Sequence, residues 1–173
     1  MLTPQASRLQ PVRGTHRSGP SWYAYDGDQE RFRAELERVE GVLVRFLRET
    51  ERELGLRPRA RVLLGFSQGG YAGAYVALRR HDLFGGMVIS GARVKVEILK
   101  DEMRGAGTAG FAALLCHGRR DTWVDMAAAQ TSCDALRNAG IAVRLRTFDS
   151  GHALGRAQVT TIRDWLRELW TLD

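Results

Sequence analysis

Val62-Leu63-Leu64-Gly65-Phe66-Ser67-Gln68-Gly69-Gly70 is the stretch that decides how this chain is read. An apolar run ends at a serine flanked by glycines. The following Tyr71-Ala72-Gly73-Ala74-Tyr75-Val76-Ala77-Leu78 reads as a helix of mostly small residues. Strand, sharp turn and helix in that order make Gly65-Phe66-Ser67-Gln68-Gly69 a G-x-S-x-G elbow, the setting of a nucleophilic serine. Each part has a physical reason. A strained turn lifts the Ser67 hydroxyl above the sheet edge, and glycines are tolerated where a Cβ would collide between strand and helix. The helix N-terminus behind the serine offers unpaired N–H groups and a positive dipole end, both suited to a developing oxyanion.

A nucleophilic serine needs a base, and the base an orienting acid. Leu114-Leu115-Cys116-His117-Gly118-Arg119-Arg120-Asp121 reads as a strand running into a turn that carries an aspartate. Leu145-Arg146-Thr147-Phe148-Asp149-Ser150-Gly151-His152 reads as another strand ending in a loop histidine. The order Ser67, Asp121, His152 is that of α/β-hydrolases, not of the chymotrypsin or subtilisin types. The chain has four histidines. His16 lies in a polar N-terminal stretch, and His81, among Arg79, Arg80 and Asp82, reads as solvated. His117 is the rival base; its plainer reading is a structural histidine shaping the turn that carries Asp121. His152 is preferred because it follows the acid and opens a loop. A turn-forming aspartate is the plainer reading of Asp121, and Asp125 and Asp149 are the alternative acids.

The segments Gly65–Gly70, Ser90-Gly91, His117-Gly118-Arg119-Arg120-Asp121 and Gly151-His152 together resemble the phospholipase/carboxylesterase family of α/β-hydrolases, which includes acyl-protein thioesterases. Trp22-Tyr23, ahead of a long helix, is similar to the aromatic segment those proteins carry upstream of the elbow. The resemblance runs from about Trp22 to the C-terminus. It implies hydrolysis of short- to medium-chain acyl esters or thioesters without cofactor or metal. Ser67 would be nucleophile, His152 general base, Asp121 its orienting acid, and the Gln68 backbone N–H one oxyanion donor. Trp123 would line the acyl pocket, or serve as a packing aromatic. The family's Leu-His-Gly-x-Gly loop, source of a second oxyanion N–H, has no counterpart here. The chain is therefore expected to be an α/β-hydrolase scaffold that is incomplete at its N-terminus, with an exposed edge beside the elbow strand that favours a homodimer. The reading from another class is a catalytically inert α/β domain kept as an interaction module.

Composition agrees with one compact domain over residues 1–173. At 173 residues and 44% hydrophobic content the chain can bury a sizeable core. No apolar run approaches the ~20 residues of a membrane span. Met1-Leu2-Thr3-Pro4-Gln5 lacks the apolar core of a signal peptide, so a cytoplasmic location is expected. Cys116 and Cys133 show no metal spacing and read as buried thiols. The net charge of +6 raises nucleic acid as a partner. It is discounted, because the arginines are spread along the chain and many lie near acids, as in Asp28–Arg38.

The expected organisation is a mostly parallel sheet covered on both faces by helices. A polar arm (1–21) holds one short strand at Leu9-Gln10-Pro11-Val12. A long helix buries Phe32, Leu36, Val39, Leu43 and Phe46, and is closed by Gly55 and Pro58. Strands are expected at Arg61–Phe66, Met87–Ile89, Phe111–Cys116 and Ile141–Phe148, and helices at Met126–Asn138 and Leu154–Leu172. In the last helix Ile162, Trp165, Leu166 and Leu169 point inward. Residues 92–110 read first as a surface connection and second as a flap over the site.

Overall fold

In a computed structural model, which describes residues 1–6, 8–11 and 17–171, the chain divides into two compact units, Met1–Arg59 and Ala60–Asp173.

In the first unit, β1 (Arg8–Pro11) and β2 (Ser18–Ser21) pair antiparallel, Arg8 opposite Ser21 and Pro11 opposite Ser18. This corrects one expectation. The strand at Leu9–Pro11 forms a two-stranded ladder with a segment read as part of the polar arm; Val12 and His16 lie outside the described residues. Four-residue strands carry too little alternation for sequence to name their partners. The unit continues into α1 (Gln29–Glu53). Asp28 caps α1, its carboxylate accepting from the N–H groups of Glu30 and Arg31 at 2.9 and 3.0 Å. Gly55, at φ +62°, takes the left-handed conformation just past its end. Phe32, Leu36, Val39 and Val44 are buried, whereas Leu43 and Phe46 are only half-buried. Tyr23 and Tyr25 both pack edge-on to Phe32, with ring centroids 4.9 and 5.0 Å away. Arg8 of β1 pairs with Glu35 at 2.7 Å, and the Arg38 guanidinium donates to the Trp22 carbonyl. On the helix surface Arg33–Glu37 and Arg38–Glu35 form the local pairs expected from the charge pattern.

The second unit is built on a four-stranded parallel sheet in sequential order: β3 (Val62–Phe66), β4 (Gly86–Ser90), β5 (Ala112–Gly118) and β6 (Ala142–Phe148). β4 and β5 are buried throughout, as central strands covered on both faces must be. Side chains alternate across a strand, so the two faces bury different sets. Val88, Ala112, Leu114 and Cys116 pack with Ile162 and Trp165 of α5 (Arg156–Thr171), flanked by Leu166 and Leu169. Truncating a buried indole such as Trp165 to alanine costs about 3–5 kcal/mol. On the other face lies α2 (Gln68–Arg79), whose Gly70 and Gly73 come close to Ile89 and Leu63. The small residues of α2 therefore let the helix behind the elbow sit tight on the sheet. α4 (Met126–Asn138) has the predicted bounds, and its N-cap is the Asp125 carboxylate, which accepts from the Ala127 N–H.

Residues 92–110 hold a 3₁₀ turn (Val96–Ile98) and α3 (Lys100–Thr108). Val94, Leu99 and Ala106 are fully buried, and the Val94 N–H donates to the Ser132 hydroxyl of α4 at 3.0 Å. β3 is an outer strand of the parallel sheet among the described residues, and its Leu64 is 45% exposed. No helix among the described residues is long and apolar enough to cross a membrane.

Candidate active site

Ser67 sits between β3 and α2 with φ 52° and ψ −122°, the one non-glycine residue at positive φ among those described. Such a backbone is costly for a residue with a Cβ, and it persists only where its surroundings over-determine it. Here they do. The Ser67 N–H donates to the Ser90 carbonyl at the end of β4 (2.9 Å), and the Ser67 carbonyl accepts from the N–H groups of Gly70 and Tyr71 at 2.8 and 3.1 Å. Gly65 is equally constrained, because a Cβ there would run into the Gly69 carbonyl. Gln68 is the first residue of α2. Its N–H therefore belongs to a helical first turn, where amides lack intrahelical acceptors and the dipole end is positive.

Two further loops converge on this serine. β5 ends at Gly118, and the next residues turn back so that the Asp121 N–H donates to the Gly118 carbonyl at 3.2 Å. β6 ends at Phe148 and leads to His152. The loops are joined by main-chain bonds, from Arg119 N–H to Phe148 O at 2.8 Å and from Arg120 N–H to Ser150 O at 2.9 Å. At Gly118 a Cβ would strike the backbone carbonyls of Ser150 and Gly151, so only glycine lets the loops approach this closely. Across that seam the His152 Nδ1 lies 2.8 Å from Asp121 Oδ2, and the His152 Nε2 lies 2.8 Å from Ser67 Oγ.

The Asp121 side chain is 1% exposed and fully engaged. Its Oδ1 accepts from the N–H groups of Trp123 (2.8 Å) and Val124 (3.0 Å), leaving Oδ2 for the histidine. Burial is the largest single influence on this carboxyl and pushes it up. The hydrogen bonds from His152 and from the Val124 and Trp123 N–H groups together outweigh burial and hold it below the usual carboxylate range. His152 is more open, its side chain 16% exposed, and its ring lies 5.0 Å from that of Phe66 and 6.1 Å from that of Trp123. Tyr71, one turn beyond Ser67 on α2, has its phenol pushed up by burial, against the pull of a hydrogen bond with Arg93. Arg93 in turn makes a two-pronged pair with Glu97 (2.9 and 3.1 Å), which Lys95 also approaches at 3.1 Å.

The other residues singled out from sequence take no part in those two contacts. Asp125 caps α4, and Asp149 faces Arg120 at 3.3 Å with its side chain largely in solvent. His81 is half-buried, not solvated as expected: its ring nitrogen Nδ1 meets the Leu78 carbonyl at 2.9 Å, because the chain turns back onto the end of α2. His117 is buried inside β5, with Nε2 2.8 Å from the Val124 carbonyl. Trp123 is 67% exposed beside His152. Phe66, Gly118 and Val124 belong to the site's surroundings without having been singled out for it. A variable residue within G-x-S-x-G, a turn glycine and a valine carry no signal of their own until the strands are paired. Among the described residues, no cluster of three or more His, Cys, Asp or Glu side chains is arranged to hold a metal ion.

Solved structures share this architecture. The crystal structure of esterase PE8 matches with a TM-score of 0.71 at 28% sequence identity, covering 87% of this chain and 70% of that one. SOBER1 of Arabidopsis thaliana matches with a TM-score of 0.71 at 20% identity, over 96% of this chain and 82% of that one. The carboxylesterase of Bacillus cereus matches with a TM-score of 0.69 at 18% identity, over 95% and 73%. The latter two carry the fold alone. No curated protein matches the sequence. The profile of the Phospholipase/Carboxylesterase family matches residues 1–170, nearly the whole chain, and the protein belongs to that family of α/β hydrolases.

Proposed function

We propose that this protein is a serine hydrolase that cleaves carboxylic esters or thioesters of short- to medium-chain acyl groups, with Ser67, His152 and Asp121 as its catalytic residues. The observation that carries this reading is the unbroken file of two 2.8 Å contacts, Asp121 Oδ2 to His152 Nδ1 and His152 Nε2 to Ser67 Oγ. Ser67 Oγ attacks the acyl carbonyl carbon while His152 Nε2 takes its proton, and the Asp121 carboxylate stabilises the imidazolium that forms. The Gln68 N–H donates to the oxyanion. His152 then returns the proton to the departing alkoxide or thiolate. In the second half, water attacks the acyl-enzyme with His152 again as base, releasing the acid and restoring Ser67. No cofactor or metal enters these steps. Trp123, exposed beside His152, offers an apolar wall for the acyl chain.

The reading extends to assembly. β3 is an outer strand carrying the exposed Leu64, and we take that edge as the surface through which two copies associate. Sedimentation of the wild type against Leu64→Lys checks it; identical, concentration-independent monomers would overturn it.

A fluorophosphonate probe and a p-nitrophenyl acyl ester test the chemistry together. Wild type should label and turn over, and Ser67→Ala should do neither. Labelling that persists in Ser67→Ala would overturn the assignment of the nucleophile.

A further inference from the structure

Among the described residues, His117 is the one buried histidine that the proposed reaction leaves unused. It sits in β5 at 1% exposure. Its Nε2 lies 2.8 Å from the Val124 carbonyl, and a carbonyl can only accept, so Nε2 carries the ring proton. Nδ1 is then a bare lone pair, and it is buried with no hydrogen-bond partner. An unpartnered buried nitrogen is destabilising, and a phenylalanine would fill comparable space without it. What the imidazole contributes must therefore come through Nε2.

Nε2 points at the acid turn. Besides the Val124 carbonyl, it lies 3.7 Å from Asp121 Oδ2, the oxygen that meets His152. Val124 is held from both sides: its carbonyl by His117, while its N–H donates to Asp121 Oδ1. Ahead of Asp121 the turn is tied by main chain to the loop after β6, through Arg119 and Arg120; beyond it Thr122 and Trp123 are exposed, and Val124 is where the turn returns to the interior. The strand thus grips the turn at the residue whose amide aims the carboxylate.

We infer that His117 is a positioning residue: by holding the Val124 carbonyl it fixes the turn that directs Asp121 Oδ2 onto His152 Nδ1. The inference rests on the serine-hydrolase reading for its effect on turnover, but not for its effect on the Asp121–His152 hydrogen bond. The two ring nitrogens supply the test. A glutamine at 117 carries its amide nitrogen to about the place of Nε2, whereas an asparagine carries it to about the place of Nδ1. His117→Gln should therefore keep the Val124 bond, and His117→Asn and His117→Phe should lose it.

The first readout is the low-field proton resonance of His152 Nδ1–H in the full chain, which needs no turnover. It should be present in wild type and His117→Gln, and shifted upfield or lost to exchange in His117→Asn and His117→Phe. Turnover of a p-nitrophenyl ester should fall by roughly ten- to a hundredfold in kcat in those two variants, with KM little changed. A His152 resonance and kcat unchanged in His117→Asn would overturn the inference. If the variants fail to fold, the wild type decides: ring ¹⁵N correlations must show His117 protonated at Nε2, and the opposite tautomer overturns the proposal. Activity that survives Ser67→Ala would instead overturn the serine-hydrolase reading, with the resonance still reporting on His117.

Discussion

Asp121 and His152 face each other across a seam between two loops, Oδ2 to Nδ1 at 2.8 Å, although 31 residues separate them in the chain. The pairing of β5 with β6 brings the loops together, and three backbone contacts hold them: Arg119 to Phe148, Arg120 to Ser150, and the close approach of Gly118 to Gly151. The carboxylate is also gripped by two amides of its own turn. Asp121 is thus aimed by main chain on one side and engaged by the imidazole on the other.

Replacing Asp121 by asparagine should leave the fold intact, because an amide oxygen can still accept from Trp123 and Val124. It should hold His152 in the wrong tautomer, however, and lower kcat by several orders of magnitude, up to about 10⁴-fold. Circular dichroism and ester turnover on the same sample check this. A loss below about tenfold would mean that another acid serves the histidine.

Gly118→Ala should be far more damaging than an exposed glycine substitution. The new Cβ would meet the main-chain carbonyls of Ser150 and Gly151, which cannot move aside as a flexible side chain could. Overpacking of this kind costs about 1–3 kcal/mol, a fall in Tm of several degrees for a chain of this size. Spreading the loops also lengthens the Asp121–His152 contact, so turnover should drop by more than the loss of folded protein explains. Gly85→Ala, with open space at its Cβ position, is the control.

Glu97 gives stability a dependence on acid. Burial pushes its carboxyl up, but the hydrogen bonds from Arg93 and Lys95 and from its own backbone outweigh burial and bring it from 4.5 to about 2. A carboxyl with a depressed folded-state value stabilises the fold fully above its unfolded value and loses that contribution as pH falls toward its folded one. The Tm difference between wild type and Glu97→Gln should therefore be constant above about pH 5 and shrink between pH 4.5 and pH 2. A difference that does not change with pH would show that Arg93 and Lys95 do not hold the carboxylate.

Both cysteines should be unreactive in the native state. Burial pushes the Cys116 thiol up to about 12 against the weaker pull of Arg146, and it raises that of Cys133 as well. A thiol reagent such as dithiobis-nitrobenzoate should find none at pH 8 and both after unfolding in guanidinium, since the thiolate is the attacking species. Fast native labelling of either would contradict the packing around β5 and α4.

Trp123→Ala should weaken substrate binding more than chemistry. Losing an exposed aromatic wall beside His152 is expected to raise KM for longer acyl esters while leaving kcat for an acetyl ester near the wild-type value. Equal KM across chain lengths in both proteins would remove Trp123 from the acyl pocket.

What the sequence by itself determined is local in its physics. The elbow was legible because Gly65, Ser67 and Gly69 answer to steric demands within a few residues of one another, and α4 because a run of helix-forming residues stops at Gly140, which takes φ +86° just past its end. The parallel sheet followed from strands alternating with helices. The long helix was legible as a stripe but not to the residue, since Val44 is buried where Leu43 and Phe46 were expected to be. The sequence favoured Asp121, on the turn after a strand, over Asp125 and Asp149. Only the tertiary structure set its contact with His152: the register of β5 against β6 brings the two loops together, leaving Asp125 as a helix cap and Asp149 in a solvent-facing ion pair. The antiparallel pairing of β1 with β2 was undetermined for the same reason, a short strand's partner being chosen by pairing across the chain. His117 shows the division within one side chain. Its type and place were plain from the start, but what its Nε2 holds depends on a turn brought back against the strand that carries it.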